Sequence, residues 1–243
     1  MGDKLDSSPA SDGSTPSCAV VIGAGGGIGA ALTGSLKESD RYSDIFAFAR
    51  GGDWATDITR EDSVAAAAAR VAATAKALRL IVIASGFLHD EEVMPERSWR
   101  DLDSRHLQRA FLVNAIGPAL VMKHFLPLLP RQGRAVCAAL SARVGSIEDN
   151  RLGGWHSYRA SKAALNQLVR TCAIELKRSR QEAICVALHP GTTATRLSQP
   201  FAKTGLVLST PSEASKRLLA VLDGLAPEDT GGFFDYSGSK VPW

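Results

Sequence analysis

Tyr158 and Lys162 stand four residues apart in Tyr158-Arg159-Ala160-Ser161-Lys162. On a helix that spacing places both side chains on one face. A phenol with a reference pKa of about 10 is a poor proton donor or acceptor near neutrality. A lysine cation beside it favours the phenolate and makes the hydroxyl a usable general acid and base. A second arrangement lies near the start of the chain, in Gly23-Ala24-Gly25-Gly26-Gly27-Ile28-Gly29. Gly23 lets the chain turn sharply, Gly27 removes a side chain where a pyrophosphate would approach, and Gly29 lets a helix pack closely on a strand. The helix that follows offers free N–H groups and a partial positive charge to phosphates. No Lys-Ser/Thr follows these glycines, which argues against a P-loop site.

Such residues need strands and helices to hold them. Cys18 to Ile22 is a short apolar run ending at glycine, as expected of a buried parallel strand. Helical spacing over Ile28–Leu36 follows, then strand Ile45–Ala49, a helix from Ser63 to Ala77 and strand Leu78–Ala84. A long helix is expected from about Ser98 to Leu129, stopped by Pro130. Strand Ala135–Leu140, helix His156–Arg180, strand Ile184–Leu188, helix Pro211–Leu222 and strand Gly232–Tyr236 complete the chain. Strands alternating with helices of ten or more residues predict an α/β fold: a single doubly wound, Rossmann-type parallel sheet with helices on both faces. The Ser/Asp/Gly/Pro-rich residues 1–17 lack apolar periodicity and read as a disordered tail, leaving 18–243 as one dinucleotide-binding and catalytic domain.

Composition narrows the class. Apolar residues are 45% and charged residues 22% of 243, enough for a sizeable core and against a disordered polymer or coiled coil. No run of eighteen uninterrupted apolar residues occurs, so no membrane partner is expected. A net charge of +3 with scattered basic residues points away from nucleic acid. Cys18, Cys137, Cys172 and Cys185 form no CxxC pair and read as reduced thiols of a cytoplasmic protein. Nothing at the start resembles a secretory signal or a transit peptide. The five histidines show no ligand spacing, so no metal is expected. No GxSxG accompanies Ser141, which disfavours hydrolase chemistry.

The second strand bears on which dinucleotide is bound. It ends Phe48-Ala49-Arg50, with no carboxylate before Asp53 to take a ribose 2′-hydroxyl. A carboxylate would repel a 2′-phosphate, whereas Arg50 could hold one by a charge-assisted contact, so NADP is favoured over NAD.

Together these segments resemble the short-chain dehydrogenase/reductase family, whose marks are a TGxxxGIG turn, an Asn, a Ser and Tyr-x-x-x-Lys. Leu140 to Leu165, with Gly145-Ser146-Ile147 and Gly153-Gly154-Trp155, and the terminal Lys240-Val241-Pro242-Trp243 further resemble the C-factor and sniffer-type carbonyl reductase branch. The resemblance spans Cys18 to Trp243. It implies that Gly23, Gly27, Ile28 and Gly29 form the cofactor turn, with Asp57 and Ile58 at the adenine and Gly86 beside the cofactor. It implies that Asn114 anchors a proton-relaying water, that Tyr158 is the acid/base, and that Lys162 binds the nicotinamide ribose and lowers the tyrosine pKa. Pro190, Gly191 and Thr195 match the PGxxxT segment at the carboxamide. The family's faces often pair between subunits, so the small-and-apolar stripes over Ala110–Leu129 and Ser161–Leu176 suggest a homodimer or homotetramer.

Four departures stand out. Ile22 replaces the threonine before the turn. Gly25 and Gly26 replace polar or basic residues, leaving the 2′-phosphate to Arg50. The family's NNAG reads Ile83-Ala84-Ser85-Gly86. The serine segment reads Ser141-Ala142-Arg143-Val144-Gly145, where strict spacing from Gly145 puts alanine on the catalytic position. Ser141 is the expected serine if the strand end is bulged or turned, with Ser146 the second candidate. His156 could line the substrate cleft, and His189 could lie near the cofactor. The expected function is hydride transfer between NADP(H) and a carbonyl or alcohol. Thr192 to Thr210 is expected to act as a lid. The altered serine and NNAG segments keep open an alternative of another class, a dinucleotide-binding signalling or regulatory protein with little turnover.

Overall fold

The computed structural model describes residues 16–201 and 208–243. The expected tail lies almost wholly outside the described residues, as does the middle of the expected lid. Six parallel strands form one sheet: β1 (Ser17–Ile22), β2 (Asp44–Phe48), β3 (Ala77–Ile83), β4 (Ala135–Leu140), β5 (Ala183–His189) and β6 (Phe233–Asp235), in the order β2-β1-β3-β4-β5-β6. This is a doubly wound order in which, among the described residues, no further strand lies outside β2, and the direction of winding reverses between β1 and β3. Beyond β2 the chain makes only a one-residue bridge, Ala49 to Ala55. The helices are α1 (Gly27–Glu38), α2 (Glu61–Ala72), α3 (Ser104–Phe111), α4 (Gly117–Phe125), α5 (His156–Lys177) and α6 (Pro211–Gly224).

The near-continuous apolar strands follow from burial on both faces. Alternate residues of β1 feed two cores: Cys18, Val20 and Ile22 pack with α2, α4 and α5, while Ala19 and Val21 pack with α1 and α6. All four cysteines are free thiols, three of them buried. The expected boundaries hold to within a few residues, except over the long helix and at the end of α2, which stops at Ala72 while Ala77 already opens β3. There a short helical turn at Trp99–Asp101 precedes α3, and a π-helical turn (Leu112–Ile116) joins α3 to α4. Wider turns of this kind insert a residue and re-aim side chains, often at functional sites. By length and composition the stretch Ser104–Leu128 could cross a membrane. Its Val121, Met122 and Phe125 are instead buried in the core of this domain.

Local chemistry sets the ends. Thr210 accepts a hydrogen bond from the Glu213 amide while Glu213 accepts from Thr210, so a capping box starts α6 ahead of Pro211. At the β1–α1 turn, Gly23 has φ +87°, and a Cβ there would lie 2.8 Å from the Ser85 nitrogen. A Cβ on Gly29 would press into the Gly23 carbonyl. The turn is therefore closed by backbone packed on backbone. Gly29→Ala is expected to lower the melting temperature by about 5–10 °C, since forcing these segments apart costs roughly 2–3 kcal/mol in a domain of this size. Thermal denaturation followed by circular dichroism measures it, and an unchanged Tm would contradict the packing.

Candidate active site

The carboxyl ends of β1, β3, β4 and β5 open onto one cleft, where doubly wound sheets bind ligands. On its floor, the glycine turn presents the start of α1, whose preceding residue, Gly26, supplies no side-chain cap. Those first amide groups are thus available to an anion. Thr195 sits directly above, its Cγ2 3.0 Å from where a Cβ on Gly27 would be. Several buried polar atoms around this cleft have no partner among the described residues: Ser85 Oγ after β3, His189 Nδ1 at the end of β5, and Thr193 Oγ1 just beyond it. Unpaired buried polar groups are costly, and their clustering at the strand ends fits a polar ligand such as a dinucleotide.

Helix α5 delivers Tyr158 and Lys162 to the end of β4, close packing that Gly145 permits by having no Cβ against Lys162. Lys162, only 2% exposed, donates from Nζ to the Leu140 carbonyl at 2.7 Å, and that nitrogen lies 5.8 Å from the centre of the Tyr158 ring. Asn114 projects from the π-helical turn. Its Oδ1 accepts from the Phe87 amide at 2.8 Å, and its Nδ2 donates to the Phe87 carbonyl at 2.7 Å and to Ser161 Oγ at 3.0 Å. Ser161 in turn donates to the Tyr158 carbonyl. Gly86 faces both Asn114 Oδ1 and Lys162 Nζ, each about 4 Å from a notional Cβ. Asn114, Tyr158, Lys162 and Gly86 are thereby brought together.

Burial dominates the electrostatics. It pushes the Tyr158 phenol well above its ordinary value and brings the Lys162 ammonium down to about 7. Desolvation thus moves the phenol in the direction opposite to the lowering expected from the lysine. His189 is likewise pushed down to about 4, chiefly by burial.

The expectation for Ser141 requires correction. Its hydroxyl is buried and donates to Asn166 Oδ1 at 2.6 Å, one turn beyond Lys162 on α5, and not toward Tyr158. No bulge occurs at this strand end, where the Ser141 amide still pairs with the Leu188 carbonyl at 2.7 Å. The next residue, Ala142, packs with Leu88 and Tyr158, so strict spacing from Gly145 identified the side chain in the cleft. Ser146 is engaged elsewhere, donating to the Trp243 carbonyl and accepting from the Asp149 amide.

At the other end of the cleft, Arg50 is exposed at the end of β2. Asp57 accepts from the amide and hydroxyl of Thr59, which hold its carboxyl below the usual range, helped by the nearby charges of Arg60 and Arg50. The Ile58 side chain is buried against Gly117 at the start of α4 and so shapes the wall from behind. Gly191, with φ +75°, lies beneath the Tyr236 ring beside Pro190. Sequence reasoning missed how the described residues of the 192–210 segment seat. A bridge from Thr193 to Ser209 pins its base, Leu197 joins Tyr158 and Leu88, and Phe201 meets Trp155 at 5.0 Å and His89 at 5.3 Å. His156 Nε2 is buried without a partner among the described residues. Among those residues no group of three His, Cys, Asp or Glu is arranged to hold a metal.

Fold and site define a dinucleotide-type α/β oxidoreductase. Residues 35–217 match the family model described as enoyl-(acyl carrier protein) reductase. The 1-hydroxy-2-glutathionyl-2-methyl-3-butene dehydrogenase of Rhodococcus sp. (strain AD45) is 32% identical over 238 residues, 93% of this chain and 100% of that protein. The C-signal protein of Myxococcus xanthus is 39% identical over 143 residues, 59% of this chain and 82% of that one. The NADPH-bound carbonyl reductase from chicken fatty liver superposes with a TM-score of 0.81 at 26% identity, covering 94% of this chain and 99% of its own. The carbonyl reductase Sniffer of D. melanogaster shares the fold at the same TM-score with 22% identity, over 94% and 99% of the two chains. The chain belongs to the short-chain dehydrogenase/reductase family and is an oxidoreductase.

Because Lys162 is buried with a depressed pKa, the unfolded chain binds a proton there that the folded chain releases between pH 7 and its ordinary value of 10.5. Stability from this group therefore rises with pH across that window. Lys162→Met is expected to raise the Tm at pH 7 by several degrees, with the gain shrinking toward pH 10. A variant less stable than the parent at pH 7 would contradict the burial penalty.

Proposed function

We propose that this chain is an NADP(H)-dependent carbonyl reductase that transfers a hydride between the cofactor and a carbonyl or alcohol substrate. The observation that carries this reading is the meeting of Tyr158, Lys162 and Asn114 beneath Gly86 at the strand ends, beside a glycine turn whose helix start is uncapped. The cofactor when bound would supply the hydride for the carbonyl carbon. Gly23, Gly27, Ile28 and Gly29 would hold its pyrophosphate, Asp57 its adenosine end, and Pro190, Gly191 and Thr195 its nicotinamide end. Tyr158, kept protonated at neutral pH by burial, gives its proton to the carbonyl oxygen as the carbon is reduced. Lys162 holds the ribose hydroxyls, and Asn114 steadies the water through which Tyr158 regains a proton. Ala142 and Leu88 present apolar surface to the substrate where the sequence expectation had a serine hydroxyl, so the carbonyl is oriented without help from Ser141. The NADP preference rests on Arg50 alone, exposed where a 2′-phosphate would lie, since Gly25 and Gly26 have no side chain with which to hold that phosphate.

Ala142 also favours a second reading, a dinucleotide-binding regulatory protein with little turnover. A panel of aldehydes and ketones with NADPH and with NADH separates the two, since cofactor binding without oxidation supports the second. The first reading expects Tyr158→Phe to lower kcat by about 10²–10⁴, and Ser141→Ala to keep it within about threefold because its hydroxyl serves Asn166. Tyr158→Phe at the parent rate would sink the mechanism. Arg50→Glu is expected to raise the KM for NADPH by about tenfold or more with little change for NADH, the cost of replacing a phosphate contact by a repulsion. A homodimer or homotetramer is part of this proposal, with exposed Leu112, Ile116 and Ile174 on the helices facing away from the sheet. Light scattering showing only the monomer would refute it.

A further inference from the structure

Glu96 lies in the loop before α3, far in sequence from the catalytic helix, yet its side chain is almost wholly buried. Its carboxylate accepts from the Ser157 amide at 3.2 and 3.3 Å, from the Ser157 hydroxyl, and lies 3.2 Å from His106 Nδ1. Its own carbonyl accepts from the Trp155 amide at 2.6 Å. One residue thus grips the first turn of α5 from both backbone and side chain, immediately before Tyr158.

The grip answers two local problems. The chain enters α5 through Gly153, Gly154 and Trp155, all left-handed at φ 64°, 65° and 53°. That conformation is disfavoured for a tryptophan and persists only where surroundings impose it. The residue before the helix supplies no side-chain cap, and a carboxylate is favoured at the positive end of a helix. Burial alone would raise the Glu96 pKa, but the bonds from Ser157 keep it below the ordinary value, so the group is ionised as a cap. His106 extends the link: its ring meets Phe87 edge-on at 6.0 Å, and Phe87 carries both backbone bonds of Asn114.

We propose that Glu96 is a positioning residue for the reaction: it caps α5 and fixes the left-handed entry, and so sets Tyr158 at the reacting carbonyl. The inference rests on the role given to Tyr158 above. The test compares Glu96→Ala and Glu96→Gln, the latter keeping an acceptor for the Ser157 amide, in steady-state reduction and in NADPH titration. A misplaced proton donor loses turnover first, so Glu96→Ala is expected to lower kcat about 10- to 100-fold. KM for the carbonyl and Kd for NADPH should stay within about threefold, and Glu96→Gln should recover most of the rate. If Glu96→Ala does not fold, Ser157→Ala, which removes one donor to the carboxylate, should still lower kcat several-fold at constant KM. Unchanged kcat in the folded variants, a parallel loss of cofactor affinity, or a Gln variant no faster than Ala would overturn the proposal. Tyr158→Phe measured alongside keeps the outcomes apart: a parent-like rate there defeats the tyrosine mechanism, whatever Glu96 does.

Discussion

An ammonium and a carboxamide are both buried within one small region of this protein, and each must find a partner inside it. Lys162 finds the Leu140 carbonyl at the last residue of β4. Asn114 finds both backbone groups of Phe87 and the hydroxyl of Ser161. Leaving either of them unpaired would cost on the order of 1–3 kcal/mol or more. The end of β4, the π-helical turn and the first two turns of α5 are therefore held in one relative position by the same few bonds. That constraint also leaves Tyr158 8% exposed under Leu197, where burial keeps it protonated.

The cofactor end of the cleft obeys a different rule. Backbone meets backbone at Gly23, Gly29 and Ser85, so shape and not side-chain chemistry defines the turn proposed to hold the pyrophosphate. Side chains matter again only at its margins, where Arg50 and Asp57 lie close enough for the arginine's charge to act on the carboxyl. At the other margin, Thr195 sits over Gly27 and Phe201 packs against Trp155.

Much of the fold was legible because buried parallel strands write themselves as apolar runs. Cys18–Ile22, Ala135–Leu140 and Ile184–Leu188 all fell on strands, and Pro211 after Thr210 marked a helix start. The helix over Ser98–Leu129 was less legible. Its composition gives no sign of the extra residue at Leu112–Ile116 that re-aims Asn114, because a π-helical turn changes hydrogen bonding without changing apolar spacing. Glu96, Ser161 and Asn166 escaped notice for a related reason. A polar residue in a loop or on a helix usually faces water, and only folded partners show that these three do not.

Residue types and spacing by themselves determined the doubly wound class, the glycine turn and the Tyr158–Lys162 pair. Each of these is a local matter of backbone sterics or helical period. That neither candidate serine neighbours Tyr158 was decided only in three dimensions. The unbroken strand end turns Ser141 toward Asn166 and leaves Ala142 in the cleft. The electrostatic state of the pair was decided there too. Sequence can place a lysine beside a tyrosine, but only the tertiary structure sets how much water each loses, and here that loss raises the pKa of the phenol and lowers that of the ammonium.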